Sequence, residues 1–533
     1  MYDYVVVGGG AAGCVLAARL SNSPDVRVLL LEAGPVDKDP YIHMPVGFYK
    51  MTSGPLIWSY RLAPQRHAAD REIPYAQGRV LGGGSSINAM VFTRGQAQDF
   101  DRWAKEFGCA GWSFEDILPY YRKSEDNNRL AGAYHGNGGP LGVSDLISPT
   151  NLARAFVLAC QEMGIPYNPD FNGREQAGCG LYQVSQRNGR RSSAVEYLRQ
   201  ARGRPNLTVH TGCLATRIRI ENHRAVGVEY RRGNSNRTEF ARAERETIVA
   251  SGAIGSPKLL MLSGIGPGDE LKRLGIPVEQ DLAGVGRNLH DHYDIDVIYD
   301  LNGPYSLDKY KKPHWMLWAG LEYKLFNKGP VTSNVVEAGA FWYGDRGSPT
   351  PDLQFHFLVG AGVEAGIAPV PSGSGCTMNS YFLRPRSRGT VTLRSADPAE
   401  APVIDPNYLA DPYDLKLSVE GLKTSREIMA QSALRRYIRC EHLPGPEVRT
   451  QAQCEEFARQ YGRTSYHPVG TCRMGIDNSS VVDPQLRVRG VDGLRVVDSS
   501  IMPMLTSSNT FAPTVMIAEK GAEMIAAKEP KHE

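Results

Sequence analysis

The sequence predicts an α/β fold in two interleaved lobes, one a nucleotide-binding lobe and the other a lobe carrying further strands. Three observations carry that expectation. The 533 residues exceed what one core organises, a βαβ unit opens the chain, and the βα alternation stops after it. Composition fits a globular protein, with 41% hydrophobic and 22% charged residues. The 60 basic and 57 acidic side chains leave a formal charge of +3, which gives no sequence-wide footprint for nucleic acid. Nine cysteines, an odd number without a CxxC pair, argue against a disulfide framework or a cysteine-built zinc site, and for a reducing, cytoplasmic compartment. No apolar run reaches the ~20 residues of a membrane-spanning helix, and peripheral membrane contact stays open. No basic leader with a cleavage site precedes the first strand, so the mature fold is expected to begin close to Met1.

Tyr4–Val7 reads as a short buried strand, and Gly8, Gly10 and Gly13 follow in GxGxxG spacing before the alanine-rich helix Ala11–Leu20. Val26–Leu31 supplies the next strand, with Glu32 at its end. Such glycines let backbone approach a pyrophosphate at the helix N-terminus, and a carboxylate in the place of Glu32 accepts hydrogen bonds from ribose hydroxyls. An acid there also disfavours a 2′-phosphate. From Gly34 to Tyr75 the chain turns irregular and rich in Pro, Gly and aromatics, unlike a plain nicotinamide enzyme. Later runs at Leu207–Thr211, Val226–Tyr230 and Thr247–Ala250 are expected to rejoin the nucleotide sheet. Candidate strands Asp352–Leu358 and Thr390–Leu393 belong to the other lobe. The expected division gives 1–150, 201–300 and 451–533 to nucleotide binding, and 151–200 with 301–450 to substrate binding. Residues 528–533 read as a solvated tail.

The segment Gly78–Asn88 places Gly82, Gly83, Gly84, Ser85 and Ser86 in one loop, which admits a flat or phosphorylated group against bare backbone. Ser251–Gly266 reads as a glycine turn feeding a helix that ends at Gly264. Pro513 suits the first position of a helix with a buried stripe at Val515, Met516, Ala518, Ala522 and Ile525. His290, Asp291 and His292 are potential metal ligands, but adjacent residues on extended chain point oppositely, and a structural or flavin-adjacent loop is the favoured reading; no metal site is expected. Tyr310, Trp315, Trp318 and Tyr323, with Lys311 and Lys312, read as a partly buried helix or a substrate lid.

Taken together, Gly78–Gly95, Gly252–Gly266, Gly286–His292, His467–Gly475 and Val497–Pro503 resemble five ordered motifs of the glucose–methanol–choline (GMC) oxidoreductase family, and the likeness spans nearly the whole chain. The resemblance implies a Rossmann-like nucleotide lobe interleaved with an α+β substrate lobe built on an antiparallel sheet, and FAD as the dinucleotide, held by Gly8, Gly10, Gly13 and Glu32, by the loop of Gly82, Gly83 and Ser85, and by Asp498 beside the ribityl–pyrophosphate region. It implies the Ala215 backbone near the adenine, and the flavin ring near Asn88, Asn509 and Thr510. Some members attach FAD through a histidine where this chain has Ile87, so a dissociable, non-covalent flavin is expected. Within the His-Pro-Val-Gly-Thr context His467 is the expected base that removes a hydroxyl proton as hydride leaves for flavin N5, and Asn509 the amide that positions the oxygen. The common pattern has a second Asn where this chain has Phe511. The texture of Tyr41–Trp58 and Gly82–Arg94 resembles choline-dehydrogenase-like members acting on aliphatic or polyether alcohols. The implied reaction is oxidation of a primary alcohol to the aldehyde, with a quinone, artificial acceptor or dioxygen taking the electrons. An aryl or furanic alcohol oxidase, a choline dehydrogenase and a non-redox FAD-dependent lyase or structural flavoprotein stand as alternatives.

Overall fold

The computed structural model describes every residue except 234, 236, 363–369 and 528–533, so the expected solvated tail lies outside the described residues. Strand Tyr2–Val7 is fully buried over its last four residues, as a central parallel strand must be. It pairs in parallel with Val28–Leu31 and with Thr238–Val249, so that Val7, Leu31 and Val249 end in register. Leu207–His210 extends the sheet on one side, and Leu494–Val496 runs parallel to the end of Thr238–Val249. The antiparallel strands Arg224–Arg232 and Cys213–Glu221 complete a 7-stranded sheet. Each strand expected for this sheet is present, the run at 247–250 as the end of a 12-residue strand.

Helix Ala11–Leu20 leaves the sheet at the carboxyl ends of its parallel strands, and helix Phe511–Ala526 packs against it. This last helix starts two residues earlier than expected. Pro513 is its third residue, a position where the missing N–H breaks no intrahelical bond. The expected stripe is buried, but so are Glu519 and Lys520, so the helix is enclosed on most sides rather than half solvated. Glu519 is accommodated there because Arg19 Nη2 donates to it at 2.6 Å and the Tyr197 hydroxyl at 2.7 Å. Helix Gly252–Leu262 ends one turn residue before Gly264, which has a positive φ of 83°.

A second 7-stranded sheet is antiparallel throughout, in the order Ile438–Leu443, Tyr293–Leu301, Gly375–Phe382, Leu353–Leu358, Val336–Trp342, Gly178–Leu181, with Arg463–Thr464 beside the start of Tyr293–Leu301. Two of its strands, Tyr293–Leu301 and Arg463–Thr464, come from stretches that the sequence groups with the nucleotide lobe. The run at 352–358 is a member of this sheet, whereas Thr390–Thr392 forms a separate ribbon with Val403–Asp405. One face packs the apolar cluster around Phe156, Phe355 and Phe357. The stretch from Gly34 to Tyr75 is less irregular than its composition suggests, holding a short helix Pro40–His43 and a strand Ile57–Arg61 that pairs with Pro74–Gly78.

Helix Pro313–Phe326 departs from expectation. Of its 14 residues only Ala319 is buried, because among the described residues only the short turns Leu307–Lys311 and Pro330–Thr332 make substantial contact with it. Trp315 and Trp318 are exposed, Tyr310 and Tyr323 half-buried, and none of the four borders the cavity between the two sheets.

Candidate active site

That cavity has a volume of about 410 Å³ and runs from the tips of the parallel strands to the polar face of the antiparallel sheet. At the first end the Gly8–Gly13 turn is shaped by contacts that tolerate no side chain. A Cβ on Gly13 would stand 1.8 Å from the Gly8 carbonyl oxygen, so helix and turn close on bare backbone. Gly83, with φ of 54°, sits on the turn from above, and a Cβ there would lie 2.8 Å from Gly10 Cα. The Gly82 N–H donates to the Gly9 carbonyl at 2.7 Å, which fastens the second glycine loop to the first. Glu32 closes this end: its carboxylate accepts from Gly9 N–H and Gly34 N–H, both at 2.7 Å. Burial pushes the Glu32 carboxyl up to about 7, against the lowering effect of those two N–H groups.

Gly8, Gly10, Glu32, Gly83, Ser85, Asn88, Ala215 and Asp498 all border the cavity, as do His467, Asn509 and Thr510 at its other end. Gly13 and Gly82 do not border it; they set the backbone behind it. Asp498 accepts from Gly252 N–H at 2.9 Å and Ser500 N–H at 2.8 Å, tying the C-terminal segment to the start of helix Gly252–Leu262. This cradle of close-packed glycines, helix N-termini and a buried acid fits an extended dinucleotide. Ile87 also borders it and packs with Ile42, Met51, Leu56 and Val80, an apolar contact with no nucleophilic atom.

At the far end three imidazoles and two amides converge. Asn509 Oδ1 accepts from Thr93 Oγ1 at 3.0 Å and from Gln354 Nε2 at 3.2 Å, which leaves its Nδ2 directed at His467 Nε2, 3.3 Å away. His467 Nδ1 lies 3.0 Å from His292 Nδ1, and His292 Nε2 lies 3.0 Å from the Leu383 carbonyl oxygen. A carbonyl only accepts, so His292 carries its proton on Nε2. Burial brings the His292 imidazole down to about 3, which keeps it neutral, and its bare Nδ1 must accept from His467 Nδ1–H. His467 is therefore the tautomer with a lone pair on Nε2, facing Asn509. Burial, followed by the neighbouring His292 and His356, holds the His467 imidazole well below its ordinary value. Burial likewise lowers His356, to about 4.

The segment entering His467 is held by Asp291. Its Oδ1 accepts the His467 N–H at 2.8 Å, and its Oδ2 accepts from Tyr75 at 2.9 Å and Thr464 at 2.6 Å. These bonds hold Tyr466 at φ of 61°, a left-handed conformation that costs a non-glycine residue roughly 1–2 kcal/mol. The His290-Asp291-His292 run thus serves three different neighbourhoods: His292 meets His467, Asp291 anchors the backbone, and the buried His290 ring finds no hydrogen-bond partner among the described residues. Phe511 borders the cavity as the first residue of the last helix, whose N-terminal turn opens there.

Sequence reasoning passes over Gln354, His356, Asn379, Asp294 and Asp296. Register explains their convergence: Asn379 pairs with Asp296 on one side and His356 on the other, and Tyr381 pairs with Asp294 and Gln354. The signal was there, since polar residues alternate with apolar ones in Asp294-Ile-Asp296-Val and Gln354-Phe-His356-Phe, strands buried on both faces. Arg191 is a further unanticipated residue. It is buried, donates to Asn88 Oδ1 at 2.6 Å and to the Ser85 carbonyl at 3.2 Å, and burial lowers its guanidinium to about 9.

Residues 2–294 and 385–518 match two sequence profiles, both described as GMC oxidoreductase. The chain belongs to the GMC oxidoreductase family. It is 44% identical to an alcohol dehydrogenase [acceptor] of Pseudomonas putida, over 99% of this chain and 96% of that protein. It is 42% identical to an oxygen-dependent choline dehydrogenase of Sinorhizobium medicae, over 99% of this chain and 96% of that one. Among solved structures, pyridoxine 4-oxidase from Mesorbium loti superposes with a TM-score of 0.89 at 33% identity, covering 99% of this chain and all of that one. GMC oxidoreductases are FAD-dependent, and this chain is an FAD-dependent oxidoreductase acting on CH–OH donors. Among the described residues no helix is long and apolar enough to cross a membrane.

Proposed function

We propose that this GMC oxidoreductase oxidises a primary aliphatic or polyether alcohol to the aldehyde, with His467 as the base and Asn509 as the oxygen-positioning amide. One observation carries the reading: the His292 relay to the Leu383 carbonyl leaves the His467 Nε2 lone pair facing the cavity beside the Asn509 amide N–H. An alcohol oxygen seated between them donates its proton to Nε2 and accepts from Nδ2. Bound FAD supplies the acceptor for the hydride that leaves the carbinol carbon. Residues of this chain do the rest. The buried imidazoles are neutral before that proton arrives, and the N-terminus of helix Phe511–Ala526 favours negative charge arising at the cavity, by about 0.3–2 kcal/mol.

The substrate class is supported by the walls. Phe48, Met51, Val336 and Leu358 are apolar, and the Asn379 amide beside them donates to Asp296 at 3.0 Å. Such a surface suits a flexible aliphatic chain. A choline reading draws on Asp294 and Asp296 in the same wall, but Arg463 ion-pairs with Asp296 and opposes a quaternary ammonium. We take the flavin as non-covalent, on the strength of Ile87, the electron acceptor as quinone-like, and the location as cytoplasmic. The nucleotide and substrate roles divide between the parallel and antiparallel sheets.

Anaerobic mixing with a panel of 1-alkanols, short polyethylene glycols, benzyl alcohol and choline tests the proposal. Bleaching of the flavin band by the first two classes, with turnover by a quinone-like dye exceeding that by dioxygen, is the expected result. An unchanged spectrum across the panel overturns it. Release of yellow chromophore on acid precipitation tests the non-covalent link.

A further inference from the structure

The helix Pro313–Phe326 contains a single acid, Glu322, and a single lysine, and its remaining residues are almost all apolar. Those apolar residues lie around the whole circumference, a pattern that marks a helix surrounded by protein or lipid. Among the described residues, the protein encloses only Ala319 of this helix. The large apolar side chains of Trp315 to Trp318, with Leu321, Leu325 and Phe326, are between 40% and 68% exposed. Single exposed apolar residues are commonplace, but seven large ones on one short helix form a contiguous patch of the kind that marks an interaction surface.

The charge around the patch says what covers it. Between residues 309 and 328 five lysines face one acid. Lys311 pairs with Asp308, while Lys312, Lys324 and Lys328 are exposed at the two ends of the helix. Lys309 lies over the rings of Tyr310 and Trp315, at 5.1 and 5.6 Å. Tryptophan, tyrosine and lysine around an apolar surface are the residues that bridge hydrocarbon and headgroups. A helix of 14 residues spans ~21 Å, too short to cross a bilayer, so its apolar side chains can enter one leaflet only. A second copy of this chain fits less well, since a two-fold contact through the patch sets like-charged lysines against each other.

We propose that this helix seats the enzyme on the surface of an anionic lipid bilayer, with its apolar side chains among the acyl chains and the lysines among the headgroups. The inference stands apart from the proposed substrate and base. After the helix the chain turns at Asn327, and Pro330–Thr332 packs against Pro45–Lys50, which carries Phe48 of the cavity wall. The docked face is thus connected through one short turn to the wall of the active site.

Sedimentation of the flavin-loaded, full-length protein with vesicles decides it, using phosphatidylcholine alone and phosphatidylcholine mixed with phosphatidylglycerol. The wild type should pellet with the anionic vesicles. A Leu317→Glu/Leu325→Glu variant should lose about tenfold or more of that partitioning, and a Lys312→Gln/Lys324→Gln/Lys328→Gln variant should lose the preference for phosphatidylglycerol. Both should retain wild-type turnover of a water-soluble alcohol with a dye, which shows that they are folded. The proposal is overturned if the wild type stays in the supernatant with both vesicle types, or if sedimentation is indifferent to both sets of substitutions. It is equally overturned if size exclusion without lipid shows a dimer that the double glutamate variant dissociates while vesicle binding is absent.

Discussion

Protonation at His467 is decided by an atom with which it makes no contact, the Leu383 carbonyl oxygen, through His292. His467→Ala should keep bound FAD and slow its anaerobic reduction by alcohol about 10²- to 10⁴-fold, read by stopped-flow absorbance. Near-wild-type reduction would remove this residue from its proposed role. His292→Leu deletes the acceptor that holds the tautomer, so reduction should slow, whereas His292→Asn, whose Oδ1 accepts the same proton, should recover part of the rate. Equal losses in the two variants would mean that His292 acts by packing alone. The pH dependence has a definite sign. A base whose folded value lies well below the ordinary ~6.5 is neutral, and therefore active, through pH 6.5 and lower. The rate of flavin reduction should stay level from pH 8 down through about 6.5 and fall only on further acidification; a half-loss near 6.5 would indicate an ordinary, solvated imidazole.

Among the elements, the C-terminal helix brings Thr510 and Phe511 to the cavity while burying Glu519 against Arg19 of the first helix. Lys123 stands 3.3 Å from the same carboxylate. Glu519→Ala leaves the Arg19 charge and the Tyr197 hydroxyl without their acceptor inside the packed helices, and should lower stability by roughly 3–5 kcal/mol in chemical denaturation. Because this pair lies away from the histidines, the intrinsic rate of flavin reduction at low temperature should be little changed. A similar loss of rate and stability would mean that the helix transmits strain to Asn509.

At the scale of the whole molecule, the cavity is walled by both sheets, and the chain passes between them several times. Ligand that fills such a cavity binds only the folded state. Stripping the flavin should therefore lower the melting temperature, and adding it back at about a thousand times its dissociation constant should restore about 4 kcal/mol. Identical melting of apo and reconstituted protein would place the dinucleotide elsewhere.

The first βαβ unit was readable from the residues because its physics is local: a buried strand, glycines whose missing Cβ atoms permit close backbone approach, and a helix that follows at once. The motifs around His467 and Asn509 were readable for the same reason, as short runs whose order matches a known family. What the strands of the second sheet share could not be read that way. Asp296, Asn379 and His356 lie in three separate stretches, and only antiparallel register sets them side by side. The His292 relay likewise needs three segments folded together, those of His292, Leu383 and His467, since which nitrogen holds a proton depends on a carbonyl brought close by packing. Exposure of the Pro313–Phe326 helix is the reverse case: its apolar sequence suggested burial, and only the tertiary arrangement left it uncovered, because burial is a property of neighbours and not of composition.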